Sequence, residues 1–329
     1  DCLERTGVRA RGLDRMKLVG LAFTTPGTMA RSAAQGTSDF AALLENTMHK
    51  VLLAAYATQP VVYPKFCRVG TVTDFRPHKR YRRGLLGSLM PINELGEFRR
   101  IAVPDGEKES ITATTKGLII SLSRQTIIND DMGAFSDLAT DAGRAAAVTV
   151  ENDVFALLAL NTNTGPTMSD GVTMFHANHA NIGTTAISSV ASFEEMASLM
   201  RAQKDPAKTD FIDLRPSIWL GPVAKGFNAR VLNAAEYDPD TANKLQKPNS
   251  VRGMFDEIVD TPRLTGTRWY GLANPAVAAA IEVAFLEGQA QPFLDNMDGW
   301  SVDGTEWKVR QDYGVAAIDW RAAATNAGA

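Results

Sequence analysis

Between Met132 and Leu160, Phe135, Leu138, Ala142, Ala145, Ala146, Val150, Val154, Leu157 and Leu158 keep a helical spacing for 29 residues. At about 1.5 Å per residue this predicts a helix about 43 Å long, longer than is usual in a globular protein. The segment NTNTGP then stops it, with Gly165 and Pro166 as breakers. Whatever this chain folds into must accommodate one rod of that length.

A second unusual feature precedes the helix. Residues 66–128 read as two strands joined by a long polar excursion; in the return strand Leu118, Ile120 and Leu122 alternate with Ile119, Ser121 and Ser123. A connection this long is uncommon inside a compact domain and marks a functional loop, here a protruding hairpin. Residues 1–37, rich in Arg, Gly, Thr and Ala, lack a sustained apolar period and read as an extended arm. A helix is expected from Ser38 to before Pro60, on the stripe Phe40, Leu43, Leu44, Met48, Val51, Leu52 and Ala55, with Ser38 or Asp39 as cap. Farther on, Ser192 and Glu195 read as a capping box before a short helix. SIWLGP, RWYGLAN and WKVRQDYGVAAIDW read as strands, Val223–Leu232 as a helix, and Pro275 as the start of a helix or extended segment. Strands and helices interleave without a regular βαβ repeat, so the expected class is α+β.

Composition narrows the function. With 329 residues, 45% hydrophobic and 22% charged, the chain can build one large domain or two intermediate ones. A net charge of −3 argues against a dedicated nucleic-acid binder, because phosphate affinity comes from clustered Lys and Arg. No run of 18 apolar residues occurs. Cys2 and Cys67 are too few for a disulfide scaffold or a thiolate zinc site. The first residue, Asp1, fits both a trimmed chain and a chain released by a protease from a longer precursor.

Two constellations offer chemistry. SDGVTMFHANHANIG carries His176 and His179, two of the four histidines, three positions apart. A helical zinc pair takes H-E-x-x-H spacing, whereas here Ala177 and Asn178 intervene and Asp170 is the only nearby carboxylate. The alternatives are a structural loop, in which the imidazoles and the Asn178 and Asn181 amides bond the backbone, and a small metal-dependent hydrolase with an unidentified third ligand. The basic run Arg76, His78, Lys79, Arg80, Arg82 and Arg83, with Tyr81 inside it, reads as a solvated tip, a nucleic-acid contact, or a contact with an acidic surface on another copy such as EYDPD, Glu236–Asp240. Asp130 and Asp131 read as N-terminal charges for the long helix, and Trp269 and Trp300 as interface or core anchors. No nucleophile elbow, P-loop or dinucleotide fingerprint appears, so no catalytic residue and no cofactor is expected.

SDGVTMFHANHANIG, DTPRLTGTRWYGLANP and above all FLDNMDGWSVDGTEWKVRQDYGVAAIDWRAAATNAG resemble the major capsid proteins of tailed phages, of the Hong Kong 97-type fold, and within them the capsid part of Mu-like prohead protease/major capsid fusion proteins. The likeness runs from about residue 38 to the end. It implies an N-terminal arm (1–60), an extended-loop hairpin (61–130), a peripheral domain (131–214) with its spine helix at 132–160, an axial domain (215–305) and a C-terminal return to the peripheral domain (306–329). It implies a structural head protein, not an enzyme, that assembles into hexamers and pentamers of an icosahedral shell around double-stranded DNA. The extended-loop residues Arg76, His78, Lys79, Arg80, Arg82 and Arg83 would then be inter-subunit contacts, and His176 and His179 parts of a structural loop with no metal. Further implied partners are portal and decoration proteins and DNA held weakly on the inner face, with no membrane. Assembly would occur in the host cytoplasm and the product would be the virion. In such fusions the upstream protease and scaffold regions are cut away, which would make Asp1 a natural processing end.

Overall fold

The computed structural model describes residues 37–82, 106–123, 133–185, 189–208, 210–239, 247–298 and 304–328. Arg83, Asp130, Asp131, Asp240, Trp300, Cys2 and the arm at 1–36 lie outside them, as do the side chains of Ser38, Asp39, Phe40, Leu43, Leu44 and Phe135. The chain divides into two units, residues 1–51 and 52–329. Of the first, the described part belongs to helix α1 (Thr37–Thr58), which ends two residues before Pro60; in the second unit a single turn, α2 (Tyr63–Phe66), precedes the strands.

Among its described residues the second unit holds two five-stranded sheets and one two-stranded ribbon. Strand β11 (Gly304–Ala317) organises the first sheet. It pairs antiparallel with β4 (Thr114–Ser123) through Gly304–Tyr313, with β9 (Ile281–Leu286) through Tyr313–Ala317 and with β10 (Phe293–Asp298) through Thr305–Arg310; Tyr313 has Thr114 on one side and Phe285 on the other. Strand β1 (Arg68–Val72) completes the sheet, parallel to β9. The two strands flanking the polar excursion therefore pair with C-terminal strands, not with each other. Strand β9 is buried on both faces from Ile281 to Phe285, the Glu282 carboxylate included, and such a strand needs neighbours on both edges. The local hairpin is smaller: β2 (His78–Arg82) against β3 (Glu107–Ile111).

In the second sheet β5 (Ile182–Gly183), β12 (Ala323–Asn326), β8 (Trp269–Leu272), β6 (Ile218–Pro222) and β7 (Glu257–Thr261) follow in that order. Its core is aromatic: the rings of Trp219 and Trp269 stack at 6.1 Å, and Phe193 tilts against Trp269 at 5.5 Å. Trp269 is thus a core residue, fully buried. Helix α5 (Val223–Ala234) follows β6 directly and packs on it and on β7.

The long helix, α3, runs from Gly133 to Asn163 beside β11. Ala139, Ala142, Ala147, Val150, Val154 and Leu158 are buried, while Ala145 of the expected stripe is exposed. Right-handed geometry breaks at Leu160, and Asn161, Thr162 and Asn163 all take positive φ. The turn is held by the Asn161 Nδ2–H donating to the Gly165 carbonyl at 2.8 Å and the Thr164 hydroxyl donating to the Asn161 carbonyl at 2.7 Å. Asparagine tolerates this region; β-branched Thr162 pays a steric cost there.

Helix α4 (Val190–Arg201) is capped differently from the expected box. Ser189 is the N-cap and forms its reciprocal pair with Ser192. Glu195 instead accepts from the backbone N–H and hydroxyl of Thr184, at 2.8 and 2.7 Å, and from the Thr185 N–H at 2.9 Å. A carboxylate offered three donors on one loop gains more than from one N-cap N–H. Pro275 starts neither a helix nor a strand: a turn occupies its neighbourhood, and the strand begins at Ile281. Among the described residues no helix is long and apolar enough to cross a membrane.

Candidate functional site

The histidine loop and the root of the ribbon meet. A 3-10 turn, Ala177–His179, is capped by His176, whose Nδ1 accepts from the Asn178 N–H at 3.1 Å. His179 is buried. Its Nδ1 lies 3.0 Å from the Met174 carbonyl oxygen and its Nε2 2.6 Å from Asp170 Oδ2. Each ring nitrogen therefore faces an acceptor, which leaves neither lone pair directed at open space. Asn181, also buried, accepts from the His176 N–H and donates to the carbonyls of Met174, Trp320 and Ala323. The loop is thus stitched to the C-terminal strand β12. Burial pushes the Asp170 carboxyl up, but the hydrogen bonds from His179 and from the Val172 N–H outweigh it and hold it below its ordinary value. Among the described residues no three His, Cys, Asp or Glu side chains converge as a metal site.

The His179 ring stacks on Trp320 at 4.1 Å and 6°, and the Arg321 guanidinium sits over the same indole at 4.1 Å. From there Arg321 reaches the ribbon: its two terminal nitrogens donate to the two oxygens of Glu107 at 2.7 and 2.8 Å, and its Nε donates to the Lys204 carbonyl. The hydrogen bond from Arg321 depresses the pKa of Glu107, against the opposing push of burial. Arg82, opposite Glu107 in the ribbon register, pairs with Glu107 at 3.2 Å and with Asp319. Glu109 accepts from the N–H and hydroxyl of Ser169. Arg80 donates through Nε and a terminal nitrogen to one oxygen of buried Glu282, at 2.9 and 2.6 Å, and to the Thr71 carbonyl. Gly70 lines this pair for a steric reason: a Cβ there would run into the Glu282 carboxylate.

The basic run thus divides. Arg80 and Arg82 are engaged within their own chain. His78 pairs with Asp74 at 2.9 Å, and Arg76 donates its backbone N–H to the same carboxylate; that hydrogen bond, with His78, depresses the Asp74 pKa. Lys79 and Tyr81 are exposed. The acidic stretch proposed to meet the run is itself engaged, Asp238 with Lys247 at 3.5 Å and Glu236 with Arg252 at 3.8 Å. Sequence reading missed Glu107, Glu282, Asp319 and Arg321. One signal was available: HKRYR and EKESI both alternate with period two, and antiparallel pairing sets Arg82 opposite Glu107 and Arg80 opposite Glu109.

What the arrangement does chemically is hold: it ties the histidine loop, the C-terminal segment and the ribbon together. Residues 106–326 match the family model described as phage capsid protein. No curated protein matches the chain. Among solved structures, the capsid of cyanophage P-SCSP1u aligns at a TM-score of 0.51 and 12% identity over 82% of this chain and 88% of that one. The structure titled Microbacterium phage Oxtober96 aligns at 0.50 and 9% identity over 78% and 84%. The likeness establishes the mixed α+β fold of Hong Kong 97-type capsid subunits, and with the family match over two thirds of its length the chain belongs to the phage capsid protein family, as a structural subunit of the virion shell.

Proposed function

We propose that copies of this chain form the hexamers and pentamers of an icosahedral head around double-stranded DNA, with the β2–β3 ribbon of each copy laid on a neighbour. In this reading α3 is the spine of a peripheral domain (131–214), residues 215–305 are mostly an axial domain meeting its copies around five-fold and six-fold axes, and 306–329 return to the peripheral domain. Residues 1–60 serve as an arm and 61–130 as the extended loop. Portal and decoration proteins dock on the finished shell, DNA touches the inner face weakly, and assembly takes place in the host cytoplasm.

The observation that carries the reading is the ribbon. Among the described residues the two-stranded sheet pairs with neither large sheet and is marginal alone, yet four ionic or hydrogen-bonded ties anchor it. Such investment in a small ribbon supports a role beyond its own fold. Interfaces between thin tiles need area that a compact body does not offer, and draped segments supply it. Negative-stain microscopy of the purified protein tests this: closed shells, tubes or sheets are expected, and a uniform monomer at high concentration refutes it.

A further inference from the structure

The ribbon has two faces of opposite character. Successive side chains of a strand point to opposite sides. On one side lie His78, Arg80, Arg82, Glu107, Glu109 and Ile111, all at least half-buried. This side carries the ties to Glu282, Asp319, Arg321 and Ser169 described above. On the other side lie Lys79, Tyr81, Lys108 and Ser110, all exposed. Register places Lys79 beside Ser110 and Tyr81 beside Lys108. Tyr81 is 66% exposed, and among the described residues the side chains of Lys79, Tyr81 and Lys108 have no hydrogen-bond or ionic partner. Every acid of these two strands is turned inward.

Resting on the proposed function, we infer that this outward face, Lys79, Tyr81 and Lys108, and not the arginines of the basic run, is the surface by which the ribbon docks on a second copy, at an acidic patch with room for one aromatic ring. Charge favours that occupant: taking Lys79 and Lys108 out of a net charge of −3 leaves the rest of the chain at −5, so a second copy is on balance of the opposite sign to this face. A nucleic acid fits less well, because two cations neutralise too few phosphates for useful affinity at physiological salt. Tyrosine suits the centre of such a contact: it buries a large rigid area at low entropic cost and keeps a polar tip. The inward clamp complements this by fixing the ribbon before the partner arrives, which lowers the ordering cost of docking.

The test compares assembly of the full chain with that of two variants, Tyr81→Ala alone and Lys79→Glu combined with Lys108→Glu, by light scattering and electron microscopy. Thermal midpoint and nucleic-acid absorbance are followed in parallel. All three side chains are exposed, so midpoints should not move. Each variant is expected to raise the critical concentration for assembly at least about tenfold, the usual consequence of truncating an anchor. Unchanged critical concentrations beside a wild type that assembles overturn the inference and leave the capsid reading standing. Variants that assemble normally but lose bound nucleic acid overturn it in favour of a DNA contact. A wild type that never assembles overturns both.

Discussion

Arg321 joins the histidine loop, the C-terminal segment and the ribbon, so its truncation should be felt well beyond one side chain. Its side chain is 4% exposed, against 35% for its partner Glu107. Arg321→Ala removes two hydrogen bonds to that carboxylate, one to the Lys204 carbonyl, and the stacking on Trp320. Hydrogen bonds to charged groups are worth about 1.5–3 kcal/mol each, and breaking a buried pair costs about 3–5 kcal/mol. Glu107 keeps Arg82 and some water, which screens the loss toward the low end, giving about 3 kcal/mol. For a chain of 329 residues that corresponds to a Tm lower by about 4 °C. The assay is urea unfolding of Arg321→Ala, Glu107→Gln and the double variant, with a coupling energy of about 1–2 kcal/mol expected between the two positions. The pH dependence follows from the sign of the Glu107 shift. A carboxyl depressed in the fold adds stability above its unfolded pKa and loses it as pH falls through the folded value, so Arg321→Ala should flatten the acid limb of the stability curve. A cost under about 1 kcal/mol, or a coupling indistinguishable from zero, would refute the clamp.

Glu195 titrates more distinctively: burial opposes ionisation, yet the Thr184 and Thr185 donors lower its pKa from 4.5 to about 2. The stability it contributes is therefore present above pH 4.5 and disappears toward pH 2, and Glu195→Gln should lose that slope in acid denaturation; a wild-type slope in the variant would refute it. Gly314 sits in β11 where a Cβ would overlap the Thr112 carbonyl; because backbone cannot yield as a side chain does, Gly314→Ala should cost about 2–3 kcal/mol in chemical unfolding, and a neutral result would contradict the close approach. Burial pushes the Cys67 thiol well up, so Cys67 should resist a thiol reagent at pH 8 in the native protein and react fully in denaturant, as peptide mapping of the labelled residue would show.

Much of the architecture could be read locally. The 3.6-residue period of α3, its stop in NTNTGP, the short strands at Ile218 and Trp269 and the helix after Pro222 all depend on near neighbours, and near neighbours are what a sequence displays. The capping of α4 was misjudged because Ser189 and Ser192 offered equivalent local chemistry. Which serine caps was decided by Thr184 and Thr185, brought to Glu195 by the pairing of β5 with β12. The arginines of the basic run show the limit most clearly. Read as part of a polar excursion, they lie on a strand of alternating faces, and whether Arg80 and Arg82 faced solvent or their own body depended on Glu282, 202 residues away from Arg80, and on Asp319.

The sequence by itself determined the period of the long helix and of its clearest strands, the class of the fold and, through its longest motifs, the kind of protein. Tertiary structure alone decided which charges were left unpaired, since ion pairing is set by distance in space, and contacts between residues far apart in the chain leave no mark on either one's neighbours.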